Sequence, residues 1–211
     1  MTGLACDTHD AHVYGFGRPL NGVRWYSSIA VADLKVGDPV CDIWGASFEH
    51  YTRQYPCVVT ELGRVVFAET YRVFIGEDND VTFRAHDSVE LTGDCMILVN
   101  EYDVRLREER ELLLPVSELH KRYNQDEFRG QYARSNYYSI RSRHNEQRYL
   151  QEIQSIVRVE KCRPRARVRS VRVSSHQNLF LAGRLGIPVR ASIGSNDWWG
   201  EGDFMINVHS R

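Results

Sequence analysis

Between residues 20 and 100 the apolar positions fall in short runs broken by turn residues, the pattern of an all-β region. Asn21-Gly22 is the strongest hairpin signal, because that dipeptide accepts the two positive φ angles of a type I′ turn. Tyr71-Arg72-Val73-Phe74-Ile75 and Val81-Thr82-Phe83-Arg84-Ala85 flank Gly76-Glu77-Asp78-Asn79-Asp80, which predicts two strands and their loop. Residues 105–127 change character, being rich in Glu, Leu, Arg and Lys, and Ser117 is placed to cap a short helix through Tyr123. Polar and aromatic residues from Ser135 to Asn145 predict a surface excursion, after which the strand pattern returns from Ile153 to Ile187. The last segment, Ser192 to Arg211, carries Gly194, Gly200, Gly202 and the pair Trp198-Trp199 and reads as an appendage. Two tryptophans in such a tail are expected to dock, either on the chain's own domain or on a partner.

Composition narrows the class. The chain has 211 residues, 42% of them apolar and 26% charged, with a formal net charge of −1, which excludes disordered, collagen-like and strongly polyelectrolyte classes. No apolar run approaches the roughly 18–20 residues needed to span a bilayer, and Met1–Asp10 lacks the features of a signal peptide. The expectation is a soluble protein of the cytoplasm, or of a virion if phage-encoded, without membrane contact. Cysteines at 6, 41, 57, 95 and 162 are odd in number and form no C-x-x-C pair, so reduced thiols are the simplest reading. Cys6, His9 and His12 have C-x2-H-x2-H spacing, but no second cluster offers a fourth ligand, and neither a metal nor a cofactor is expected.

Charge is unevenly divided. Residues 1–100 hold 7 Lys+Arg against 14 Asp+Glu, whereas residues 101–211 hold 20 against 14. Part of the positive excess lies in Arg163, Arg165, Arg167 and Arg169, which alternate with other residues. If that stretch is a strand, its period of two puts all four guanidinium groups on one face. They would then form a ridge for phosphate or carboxylate groups, nucleic acid included, or a solvated face, or a partner for the acidic first half of the chain. No aromatic residue is interleaved with them to stack on bases.

Three segments carry a family resemblance. Ile29-Ala30-Val31-Ala32-Asp33-Leu34-Lys35-Val36-Gly37-Asp38-Pro39-Val40 resembles the early strand and turn of Hint domains, the fold shared by inteins and hedgehog autoprocessing domains. Val168-Arg169-Ser170-Val171-Arg172-Val173-Ser174-Ser175, followed by Leu179-Phe180-Leu181-Ala182-Gly183-Arg184-Leu185-Gly186-Ile187-Pro188, is similar to the C-terminal signature of inteins in actinobacterial and actinophage replicative helicases. Leu4-Ala5-Cys6-Asp7-Thr8 resembles the opening of the variant called class 3 inteins, and the Tyr71–Thr92 hairpin resembles the block preceding the catalytic histidine. The resemblance implies a mostly β Hint horseshoe over residues 1–192, with residues 105–150 as an insertion holding a short helix and residues 193–211 as a C-terminal tail. The insertion is too short for the endonuclease that many inteins carry there.

The chemistry of that family needs a nucleophile, a histidine that polarises the upstream peptide bond, and an asparagine that cyclises to release the downstream peptide. By the resemblance, Ser170 stands where class 3 inteins have the attacking cysteine, and a serine hydroxyl needs a dedicated base. The histidine position aligns with Asp87, its neighbour His86 falling one place early, and a one-residue offset turns a strand side chain to the other face. At the C-terminal junction Val189-Arg190-Ala191-Ser192 replaces Thr-His-Asn-Ser, and alanine has no amide with which to form a succinimide. Ser174 replaces a further aspartate. Arg190, where a histidine is expected, would lock the cleft by pairing with Asp87 or another carboxylate.

The resulting expectation is a degenerate, non-splicing, intein-like protein with no intact catalytic set, not an enzyme, kept as a binding or structural component of a phage particle. Its partner is expected to be another protein, nucleic acid being the other candidate, engaged through Arg163–Arg169, Trp198-Trp199 or the old cleft. The competing reading is residual self-cleavage, for which Cys6, His86, Ser170 and Ser192 are the candidates. His120 and His176 are expected at the surface or in caps, and Cys41, Trp25 and Trp44 in the core, with Trp25-Tyr26 at the rim of the old cleft as the alternative.

Overall fold

The computed structural model describes residues 2–6, 12–16, 26–40, 57–79, 82–127, 136–143, 151–175, 178–183 and 186–191. Along the chain these form β1 (Leu4–Ala5), β2 (His12–Phe16), β3 (Tyr26–Ala30), a 3-10 turn (Val31–Asp33), β4 (Pro39–Val40), β5 (Cys57–Leu62) and β6 (Val66–Ala68). There follow β7 (Thr70–Asn79), β8 (Thr82–Thr92), β9 (Met96–Asp103), β10 (Glu108–Pro115), α1 (Val116–Glu127), β11 (Asn136–Arg143) and β12 (Gln151–Lys161). The last are β13 (Ala166–Arg169), β14 (Val171–Val173), β15 (Phe180–Ala182) and β16 (Ile187–Arg190). The chain is therefore mostly β, as its apolar pattern predicts. Among the described residues no helix is long and apolar enough to cross a membrane.

Hydrogen bonding joins the strands in the order β14-β5-β4-β2-β15-β16-β9-β11-β12-β7-β8-β1-β13-β6, with β10 added to β9 and β3 to β2. The strand pair at one end of this path, β14 and β5, is joined covalently to the pair at the other, β13 and β6. Residue 170 alone separates β13 from β14, and residues 63–65 separate β5 from β6. Gly63 N–H donates to the Ser170 carbonyl at 3.0 Å, so both crossings are tied at one point. A Cβ on Gly63 would meet Ser170 Oγ, so any side chain there would have to turn that hydroxyl aside.

The longest hairpin is β7–β8, where Tyr71, Val73 and Ile75 face inward opposite Leu91, Val89 and Asp87. The strands run well past the expected loop, and only residues 80 and 81 separate them. Between Ile75↔Asp87 and Gly76↔Ala85 the register shifts, leaving His86 as the extra, unpaired residue of a β-bulge. Turn chemistry accounts for the segment 35–38: Gly37 adopts φ +92°, and Asp38 Oδ2 accepts the Lys35 N–H at 2.8 Å. Gly183 and Gly186 take φ +77° and +79° in the β15–β16 connection. Asn21-Gly22 lies outside the described residues, but β2 and β3 pair antiparallel from His12↔Ala30 to Phe16↔Tyr26.

Two expectations about residues 105–150 are corrected. Ser135–Asn145 is not a surface excursion but contains β11, which pairs with both β9 and β12. Tyr138 and Ile140 are buried there while Tyr137 is exposed, the period of two of a half-buried strand. The helix is longer than expected and is not capped by Ser117. Its leading N–H groups, those of Val116 and Ser117, donate to the carbonyls of Cys95 and Gly93, so the β8–β9 turn supplies the cap. Val116, Leu119 and Tyr123 form the buried stripe of α1, and the Tyr123 hydroxyl donates to the Ile156 carbonyl.

The core is continuous across these layers. Leu4, Ile75, Leu91, Ile97, Leu119, Ile140, Ile156, Phe180 and Ile187 are fully enclosed. Each such side chain contributes about 1.5–3 kcal/mol of burial free energy, against the conformational entropy of ordering the chain.

Candidate functional site

Strand pairing brings together segments that are far apart in the sequence. β1 lies between β8 and β13, with Leu4 opposite both Leu91 and Arg169, and Cys6 N–H donates to the Arg167 carbonyl at 2.9 Å. One residue beyond β13, Ser170 is nearly buried, and the next amide, Val171 N–H, donates to the Ala191 carbonyl at 2.7 Å. Cys6, Ser170 and Ala191 are thus carried by backbone segments that hydrogen-bond in sequence around β13. Ala191 is fully buried and supplies only backbone groups.

Asp87 reaches the same neighbourhood from β8. Its Oδ1 accepts the Ser88 N–H at 2.8 Å, and its Oδ2 lies 2.7 Å from where a Cβ on Gly183 would stand. The carboxylate therefore packs on the left-handed turn of the Leu181-Ala182-Gly183 run, and any side chain at 183 would displace it. Arg190 ends β16 half-buried, opposite Met96. Ser174 is exposed and is spent on the sheet: its Oγ accepts Val58 N–H at 2.9 Å while its own N–H donates to the Val58 carbonyl at 2.9 Å. The bulge at His86 changes the phase of β8, so counting alternation from Val89 and Leu91 does not carry through to that residue. Ser192, Trp198, Trp199, His9, His176, Cys41, Trp25 and Trp44 lie outside the described residues.

Neither Cys95 nor Cys162 is an activated nucleophile. Burial pushes Cys95 far up, and its Sγ donates to the Arg190 carbonyl at 3.2 Å. Burial, followed by the charge of Glu90, raises Cys162 as well. Among the described residues no group of three or more His, Cys, Asp or Glu side chains is arranged to hold a metal ion.

The arginine series is divided by the fold. β13 begins at Ala166, so Arg163 and Arg165 precede it, while Arg167 and Arg169 stand on one face with Ala166 and Val168 buried on the other. Arg163 turns inward, its Nε donating to Glu90 Oε1 at 2.7 Å. Arg165 stays exposed with its guanidinium 4.5 Å from the centroid of the Phe67 ring.

Two buried carboxylates that local sequence patterns do not mark hold much of this frame. Glu90 is fully buried and accepts from Thr70 Oγ1 at 2.5 Å, Arg163 Nε at 2.7 Å and Arg72 at 3.2 Å. Burial pushes its carboxyl up, but the bonds from Arg163 and Thr70 and the charge of Arg163 outweigh that and hold it below the usual carboxylate range. Glu101, also fully buried, accepts from Arg110 Nε at 2.6 Å, Tyr138 Oη at 2.8 Å and Arg122 at 3.1 Å. There too burial acts upward, and the Tyr138 and Arg110 bonds with both arginine charges bring the carboxyl below its ordinary value. His120, expected at the surface, is half-buried and donates from Nδ1 to the Val159 carbonyl at 2.9 Å, tying α1 to β12.

No protein-family profile matches the sequence, and no curated protein matches it. Solved structures similar to the chain are inteins. A variant of the MchDnaB-1 intein has 13% identity and a TM-score of 0.49, covering 90% of this chain and 99% of its own. The gp41-1 intein has 10% identity and a TM-score of 0.47, with 90% and 98% covered. The Msm DnaB1 intein splicing domain, solved with zinc bound, has 14% identity and a TM-score of 0.45, with 89% and 98% covered. At these identities the similarity concerns the fold.

Proposed function

We propose that this chain is a catalytically degenerate, non-splicing protein of the Hint type that serves as a binding or structural component. The observation that carries the reading is Ala191. It is fully buried beside the Ser170–Val171 segment, its carbonyl held by Val171 N–H, at the position where the resemblance requires an asparagine. Asparagine cyclisation breaks the backbone by attack of a side-chain amide nitrogen on its own carbonyl carbon, and a methyl group has no such nitrogen. The replacement of the expected thiol by Ser170, and the use of Ser174 in backbone pairing with Val58, support the same reading. A particle of an actinobacteriophage is the setting we propose, from the resemblance of Leu179–Pro188 to actinophage helicase inteins. In that setting the partner is another protein of the assembly.

Intact mass of the full chain tests this, measured fresh and after overnight incubation with dithiothreitol or hydroxylamine. A single unchanged mass is the expected result. Release of a fragment ending just before Cys6, or of one beginning after Ala191, would show that residual self-cleavage survives and would overturn the reading.

A further inference from the structure

Phe67 is the most exposed aromatic ring among the described residues, at 57%, and it occupies the middle of β6. That strand pairs with β13 on one side only, placing Phe67 directly opposite Arg167 and leaving its other edge open among the described residues. Arg165 lies over the ring at 4.5 Å, and Arg64, three residues upstream, is also exposed. The nearby acids are already engaged elsewhere: Glu61 by Arg172 at 2.9 Å, Glu69 by Lys161 at 3.0 Å, and Glu90 by Arg163 and Arg72. Arg64 and Arg165 have no ion pair with any described acid. An apolar ring and a local excess of guanidinium groups therefore share one open sheet edge. The alternation of arginines in the sequence shows no aromatic among them, because the ring comes from a strand about 100 residues earlier.

We propose that this edge binds single-stranded nucleic acid, with a base stacked on Phe67 and phosphates held by Arg64 and Arg165. A flat ring with a guanidinium already against it is a stacking platform that any base can extend, and the flanking cations match a polymer with one negative charge per unit. An acidic polypeptide would satisfy the arginines but brings no planar group to the ring, so it is the less complete fit. The inference is independent of the lost splicing chemistry, and the intact-mass measurement bears on it in neither direction.

Fluorescence anisotropy of a labelled 20-nucleotide oligothymidylate titrated with the full chain tests it, with unlabelled polyglutamate of similar length as competitor. Binding is expected to weaken with salt at a log–log slope of about −1.4, corresponding to some two phosphate contacts on a single strand. Phe67→Ala is expected to weaken binding about tenfold or more, with Phe67→Trp retaining it. Arg165→Ala alters no buried group and gives an independent loss should Phe67→Ala fail to fold. Absence of oligonucleotide binding, or a Phe67→Ala variant that folds and binds like the parent, would overturn the proposal. So would polyglutamate competing as well as unlabelled oligonucleotide, which would assign the edge to an acidic polypeptide.

Discussion

Glu90 and Glu101 solve the same problem with different materials. Both are fully buried carboxylates, and both accept from two guanidinium groups and one hydroxyl. Glu101 draws its partners from β10, α1 and β11, within 37 residues, so its cluster fastens one continuous stretch of chain. Glu90 draws on Arg72 and Thr70 in β7 but also on Arg163, 73 residues away, and so fastens the long hairpin to the approach to β13. Their enclosure differs as well. Of the cations beside Glu101, Arg110 keeps 45% of its side chain exposed and Arg122 33%, whereas Arg72 and Arg163 beside Glu90 keep 26% and 32%, so the difference lies in Arg110. The comparison teaches that a buried carboxylate is only as replaceable as its cations are free to reach water.

The largest effect expected follows from that difference. Removing one partner of a buried ion pair costs about 3–5 kcal/mol because the other charge is left uncompensated. Glu90→Ala strands two guanidinium groups that are each about two-thirds enclosed and is expected to cost more than Glu101→Ala. Glu101→Ala is expected to fall toward the lower part of that range, since Arg110 can turn into solvent. Denaturant titration of both variants measures the two costs, and equal losses would remove the role assigned to enclosure.

Acid probes both clusters together. Each carboxyl is held below the ordinary glutamate value of about 4.5 in the folded state, so the unfolded chain binds the proton first. The stabilisation they give is therefore complete above the unfolded value and is lost as pH falls below about 4.5 toward the folded one. Melting temperature followed from pH 7 downward is expected to drop through that window, and the Glu90→Ala variant is expected to drop less steeply. The smallest effect concerns the hydroxyls. Thr70→Val and Tyr138→Phe each delete one bond to a carboxylate that keeps its cations, at an expected cost of about 1–3 kcal/mol. A cost from either variant as large as that of deleting its carboxylate would mean that the cations do not carry the clusters.

What the sequence makes legible here is whatever is decided locally. The Lys35–Asp38 turn and the β7–β8 hairpin follow from turn residues and alternation that can be counted along a few positions. β11 escaped because its polar composition masks the two inward residues, Tyr138 and Ile140, that make it a strand. The start of α1 escaped because its cap is the backbone of Gly93 and Cys95, which no side-chain signal announces. Of the candidate site, the nearness of Ser170 to Ala191 agrees with the order of the recognised segments. The inward turn of Arg163 and the seat of Asp87 on Gly183 do not show, because each depends on a residue 73 or 96 positions away. The bulge at His86 is a one-residue event in pairing with β7, invisible in either strand alone.

Cys95 gives the protein a clock. Its thiol is wholly enclosed and bound to the carbonyl of Arg190, at the end of the strand that closes over β9. A thiol reagent meets it only when the packing around it opens. The pace of its modification therefore reports how often that packing opens, read out by a native atom without any added label.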